Sequence, residues 1–334
     1  MPARLSRFVF FAFLSAVVPV IIFSGVSLAF ALDNIRVATA SMTSPSVLYL
    51  LVAQREGYYK SEGLNVELIN MRGEISVKIA TAGEIDFFTQ GGSALTAAVR
   101  GIPVKVLMIV DDKPGWDFIA QPNIRSIAQL KGGTVGIISF EGSVAVATRE
   151  ILRKNSLDPA KDVNLLVMGG NDVRYVALKG KAIQATLLDP ANSYRAIKEG
   201  FVKLASASDY VTYYLGGAIG TSQDQIKQAP EKIGKFVEAS LKGYYFYTTR
   251  REPSINYMMQ FLRTRDRDAA TAIYDANLRV MSLDGMPDEK ILHSLIEEAK
   301  KIAGVKKEFR AADLFDFSFV RKANERLKAN AWRP

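Results

Sequence analysis

Four stretches of this 334-residue chain share one chemical plan: an apolar run ends, small or hydroxyl-bearing residues follow, and a helical pattern begins. They are residues 41–46 with Ser41, Met42, Thr43 and Ser44; residues 91–93 with Gly91, Gly92 and Ser93; residues 139–143 with Ser139, Phe140, Gly142 and Ser143; and residues 169–172 with Asn171. A helix start presents unpaired backbone N–H groups and a partial positive charge, and glycine lets a ligand come close to them. The set therefore suits an oxygen-rich or anionic group held by backbone and hydroxyl donors. Helix capping alone needs the same residue types at any one of these places, so it is the recurrence that points to a binding crevice.

Flat or flexible apolar side chains stand near these loops: Met42, Trp116 and Phe140, with Tyr213 and Tyr214 further along. Trp116 either stacks on a ligand or packs a hinge. Tyr213 and Tyr214 alternate faces if extended, so at most one faces a ligand, and Tyr214 is the candidate. Asp189, just before Pro190, either caps a helix or accepts a hydrogen bond from a ligand amine. Arg174 reads as a surface residue one turn into its helix, with reach toward an anion as the alternative.

The catalytic inventory is thin. The chain has no cysteine, and its one histidine, His293, sits beside Ile291 and Leu292 in a C-terminal helical pattern far from every loop above. A serine–histidine–aspartate set would need His293 to reach Ser41, Ser93, Ser139 or Ser143. No nucleophile elbow, phosphate loop or dinucleotide fingerprint follows any strand. Glu297 and Glu298 read as a helix face in water. The expectation is a binding protein, not an enzyme, with no metal and no cofactor.

The elements that must position these residues follow an α/β rhythm. Strand patterns over residues 35–38, 66–69, 85–89 and 104–110 alternate with helical spacing such as Val47, Leu48, Leu51 and Val52. Residues 116–121 read as an extended crossing, after which the grammar restarts with strands over 134–138, 163–168 and 183–188. Residues 211–221 suit a second crossing back, and from about residue 230 to 327 the pattern is nearly all helical, with Pro253 and Pro287 as first-turn residues. The expected organisation is two lobes with ligand in the gap: residues 32–118 and 215–334 form the first, residues 119–214 the second.

Residues 1–31 read as an export signal: Arg4 and Arg7 start it, an apolar run follows, and Ala29-Phe30-Ala31 has the small-x-small form of a cleavage site. The alternative is an uncleaved anchor. Without cysteine the exported part has neither disulfides nor a lipid attachment point, which fits a periplasm and requires a core large enough to stabilise two domains. The formal net charge is +9, spread along the chain with no run of five like charges. That is a solvated basic surface or weak steering of anions, not a nucleic-acid interface.

Several short motifs occur in a fixed order: Ile35-Arg36-Val37-Ala38; residues 53–64 in the pattern A-x-x-x-G-[FY]-[FY]-x-x-x-G-L; Gly83-Glu84-Ile85-Asp86-Phe87; Gly101-Ile102-Pro103-Val104; Leu130-Lys131-Gly132; Val135-Gly136; Gly142-Ser143; and Asp189-Pro190. In this order they resemble the periplasmic binding proteins of the type II fold, the group that includes sulfonate, taurine and nitrate binders and bacterial NMT1/THI5-like proteins. The resemblance implies a two-lobed α/β fold with two crossing strands and a helical C-terminal region. It implies a ligand held by residues 41–46, 91–93 and 139–143, and a monomer that delivers it to an ABC transporter permease in the inner membrane. Two departures stand out. Gln184 replaces the usual acidic residue of one family motif, and the cysteine-rich iron motif and reactive histidine of the eukaryotic pyrimidine-synthase relatives are absent, which argues against that activity. The donors and net charge favour a sulfonate or carboxylate; the aromatic set leaves a pyrimidine-like heterocycle open, and an enzyme or ligand sensor on the same fold is the rival.

Overall fold

Strands form here where apolar runs can be covered on both faces, as parallel sheets require. The computed structural model describes residues 32–39, 44–71, 73–138, 140, 143–211, 214–287 and 289–334; the leader expected over residues 1–31 lies outside them. Ten strands are described: β1 Asp33–Thr39, β2 Leu64–Asn70, β3 Phe87–Gln90, β4 Val104–Ile109, β5 Asp117–Ala120, β6 Thr134–Ile137, β7 Asn164–Val167, β8 Ala185–Leu188, β9 Val202–Ser206 and β10 Gly217–Ser222. They make two five-stranded sheets, in the orders β2-β1-β3-β10-β4 and β7-β6-β8-β5-β9. The two-lobed α/β architecture expected from the sequence is the one observed.

The chain changes sheet twice, and each crossing ends in an inner strand. After leaving the first sheet it enters the second as β5, which lies antiparallel between β8 and β9. On return it enters the first as β10, antiparallel between β3 and β4. The crossings are therefore anchored in the middle of each sheet, and all four residues of β8 and all six of β10 are buried. β1, β2 and β3 run parallel, as do β6, β7 and β8, so the carboxyl ends of each set share one edge. β9 is a strand the sequence did not signal. Its residues, Val-Lys-Leu-Ala-Ser, are only partly buried at the sheet edge, where no strong apolar alternation is needed.

Helices cover both sheets. Gly57 (φ 76°) and Gly63 (φ 75°) adopt left-handed backbone at the two turns around Tyr58–Ser61, which gives the glycines of the A-x-x-x-G motif a conformational reason. Tyr59 and Phe87 flank Phe236 of the long helix Pro230–Thr249 in a stack, with ring centroids 5.5 and 4.0 Å apart. The same helix crosses Leu48–Arg55 at Gly243, where a Cβ would lie 2.4 Å from the Tyr49 carbonyl oxygen and 2.6 Å from the Ala53 Cβ. Only glycine allows that approach. The first sheet and these helices share one apolar cluster, and Phe118, Val135, Ile151 and Leu187 centre another on the second sheet.

Candidate functional site

The carboxyl end of β4 runs directly into the first crossing, and the chain there is tied to the returning segment. Asp111 N–H donates to Gly217 O (3.1 Å), Gly216 N–H donates to Asp111 O (3.2 Å), and Gly91 N–H donates to Gly216 O (3.2 Å). The start of helix Gly91–Val99 is thus joined to both crossings. Gly91 itself is packed shut: a Cβ there would lie 2.6 Å from the Leu215 Cγ, so its role is close backbone packing.

Beside this junction is a cavity of about 70 Å³ that opens to solvent. Gly92, Leu95 and Thr96 line it from helix Gly91–Val99, and Ser143 and Val146 from helix Ser143–Lys154 above the second sheet. Trp116 comes from the outward crossing; Val211, Tyr214 and Leu215 come from the return. The indole and the phenol ring meet edge to face, 5.2 Å between centroids at 76°, and burial raises the Tyr214 phenol above its usual pKa. Helix Glu289–Ala303 closes the far side with Leu295, Glu298, Ala299 and Ile302. Both helices from the sheets begin at the cavity, and no side chain caps Gly91–Val99. The available donors are therefore backbone N–H groups, the Thr96, Ser143 and Tyr214 hydroxyls and the Trp116 indole N–H.

Of the residues singled out from the sequence, the cavity brings together Gly92, Trp116, Ser143 and Tyr214. Ser41, Met42, Thr43, Ser139 and Gly142, with Tyr213, lie outside the described residues. Ser44 and Ser93 are half-buried and not among the lining residues. Phe140 is exposed and lines a separate groove with Arg149 and Arg153; its carbonyl accepts from Arg149 Nη2 at 2.7 Å. Asn171 and Asp189 are engaged locally. Asn171 Oδ1 accepts from Arg174 (2.7 Å), while Asp189 caps helix Pro190–Lys198 through Asn192 N–H (2.8 Å).

Two sequence readings need correction. Arg174 is not a surface residue: it is fully buried and donates to Thr186 Oγ1, Asn171 Oδ1 and the carbonyls of Gly169 and Leu187. Burial lowers the guanidinium to about pKa 10, with nearby Asp189 opposing the shift. Its helix, Asn171–Lys179, turns Val173 and Val176 to solvent instead. The second concerns Glu297 and Glu298. Glu297 does face water and pairs with Lys300 at 2.9 Å, but Glu298 lines the cavity. The signal was in the stripe Leu295, Ala299 and Ile302, whose helical spacing places Glu298 at its border.

At the junction, Asp111 is the most unusual titratable group. Its carboxylate is 4% exposed; Oδ2 accepts from Gly217 N–H (3.3 Å) and Oδ1 has no partner. Burial pushes the group up to about pKa 6, against hydrogen bonds from Ser46 and Gly217, and the neighbouring Asp112 adds to the rise. Among the described residues no group of three or more metal-ligating side chains occurs, and no helix is long and apolar enough to cross a membrane.

Comparison with known proteins places this arrangement. A family model described as NMT1/THI5 like matches residues 44–252. The riboflavin-binding protein RibY of Chloroflexus aurantiacus is 29% identical over 220 residues, a span covering 63% of this chain and 61% of that relative's length. The periplasmic sulfonate-binding protein SsuA of Methylobacillus flagellatus has the same fold, with a TM-score of 0.71 at 17% identity over 91% of this chain and 98% of that one. So has the desulfurization enzyme DszB, with a TM-score of 0.64 at 13% identity over 88% and 99% of the two chains. At these identities the structural matches speak for the fold alone.

Proposed function

This chain belongs to the NMT1/THI5-like family, and from that premise we propose that it is an exported, non-catalytic solute-binding protein that closes two lobes over a small, planar, uncharged heterocycle and hands it to an ABC-type import permease. The observation that carries the ligand class is the lining of the inter-sheet cavity. It is largely apolar, edged by the Trp116–Tyr214 pair, and no lysine or arginine belongs to it among the described residues. An anion such as a sulfonate would lose its hydration there without gaining a cation, whereas a flat ring system buries apolar area and uses the few neutral donors. Of the two ligand classes open from the sequence, the heterocycle fits this lining better, and riboflavin, the ligand in the name of the Chloroflexus relative, is the natural probe.

The hinge in this reading is the pair of crossings between β4 and β5 and between β9 and β10, with the first sheet in one lobe and the second sheet, all of β5 included, in the other. Ligand docks on one lobe, and contacts to the other stabilise a closed form that the permease distinguishes from the open one. Export to the periplasm with cleavage after Ala31 completes the assignment, and is checked by the mass of the secreted chain. Calorimetric titration of the purified protein with riboflavin and with ethanesulfonate, paired with small-angle scattering, tests the function. One-to-one riboflavin binding with a smaller radius of gyration and no turnover is expected. Tight ethanesulfonate binding without riboflavin binding, or chemical conversion of the bound molecule, refutes it.

A further inference from the structure

Glu298 occupies a place that a binding cavity of this kind does not need for packing. It stands in the stripe Leu295, Glu298, Ala299 and Ile302, spaced three, one and three residues apart, which one face of a helix directs to one side. Its neighbour Glu297 is spent on Lys300, but no described residue gives the Glu298 carboxylate a hydrogen bond or an ion pair. The other lining side chains carry no charge. A second carboxylate, Asp111, lies outside the lining but packs with the Tyr214 ring against Gly216, buried and with one oxygen unpartnered. The chain carries a net charge of +9, yet the one charged side chain lining its cavity among the described residues is a carboxylate.

We propose that Glu298 is the specificity-determining residue of the cavity: its carboxylate accepts an N–H of the bound heterocycle and repels ligands that carry an anionic group. The inference rests on the heterocycle reading above and narrows it to ring systems with an N–H or amino donor. A half-buried carboxylate and an anion sharing one cavity repel each other in a medium far less screening than water, and a donor removed from such a site leaves the acceptor unpaired.

The experiment compares riboflavin with riboflavin 5′-phosphate, which differs by one anionic group, and includes ethanesulfonate. Dissociation constants are measured by titration on the full chain and on its Glu298→Gln and Glu297→Gln variants. The wild type is expected to prefer riboflavin over its phosphate by about tenfold or more, and Glu298→Gln to narrow that ratio to roughly threefold while keeping riboflavin binding. Glu297→Gln, altered on the water face of the same turn, is expected to leave the ratio unchanged. Riboflavin binding with an unaltered ratio in Glu298→Gln overturns this inference and leaves the heterocycle reading standing. Absence of riboflavin binding by the wild type, with or without ethanesulfonate binding, overturns both.

Discussion

Asp111 supplies a stability test that depends chiefly on its burial. The carboxyl lies where the outward and returning crossings meet, its Oδ1 has no partner, and Tyr49, Tyr214, Tyr244, Tyr247 and Asp112 are the titratable groups around it. Its ordinary pKa of 3.8 applies to the unfolded chain, and about 6 to the folded one. The folded state therefore holds the proton more tightly. Above pH 6 the full penalty of an ionised buried carboxylate weighs on the fold; as pH falls through 6 toward 4 the penalty disappears and stability rises. Two pKa units correspond to about 3 kcal/mol, and at 4% exposure little solvent screening reduces it. Replacement by asparagine keeps an acceptor for Gly217 N–H and removes the charge. Asp111→Asn should stabilise the protein by up to about 3 kcal/mol at pH 8 and by nearly nothing at pH 4. Urea unfolding of both proteins at the two pH values measures the difference, in which exposed paired acids such as Asp275 with Arg251 cancel. An equal effect at both pH values, or destabilisation at pH 8, would refute the assignment of an uncompensated buried charge.

Three further changes probe the site and the packing that supports it. Ser143→Trp places a large side chain from an exposed first-turn position into the cavity and should weaken riboflavin binding by about a hundredfold with an unaltered circular dichroism spectrum; an unchanged dissociation constant would put the site elsewhere. Arg174→Met should cost about 3 kcal/mol in urea unfolding, because it strands the Gly169 and Leu187 carbonyls, while a loss under about 0.5 kcal/mol would restore the surface reading. Gly243→Ala drives a methyl group onto the Tyr49 carbonyl and should destabilise by about 1–3 kcal/mol, with no change in affinity corrected for the folded fraction.

The α/β alternation was legible because it rests on local pattern. Glycines at turns, proline after Asp189 and apolar runs such as residues 104–110 all act over a few neighbours, and the strands β1 to β8 lie where those runs are. The cavity was half legible. Gly92, Trp116, Ser143 and Tyr214 carry signals of their own at loops and crossings, whereas Leu95, Val146 and Leu295 are ordinary helix residues until their three helices meet around one cavity. β9 escaped notice because an edge strand needs only one covered face.

Composition and spacing alone determined the absence of thiol chemistry, the two successive α/β units and the order of family motifs, since none of these requires knowing which distant residues touch. Tertiary structure decided the rest. A lone arginine in a helix is a surface residue until Gly169, Asn171, Thr186 and Leu187 converge to accept its hydrogen bonds, and a glutamate beside an apolar stripe is solvated until the far side of that stripe becomes the wall of a cavity. The energy of a buried charge is fixed by its partners, and those partners are brought together by the fold, not by adjacency along the chain.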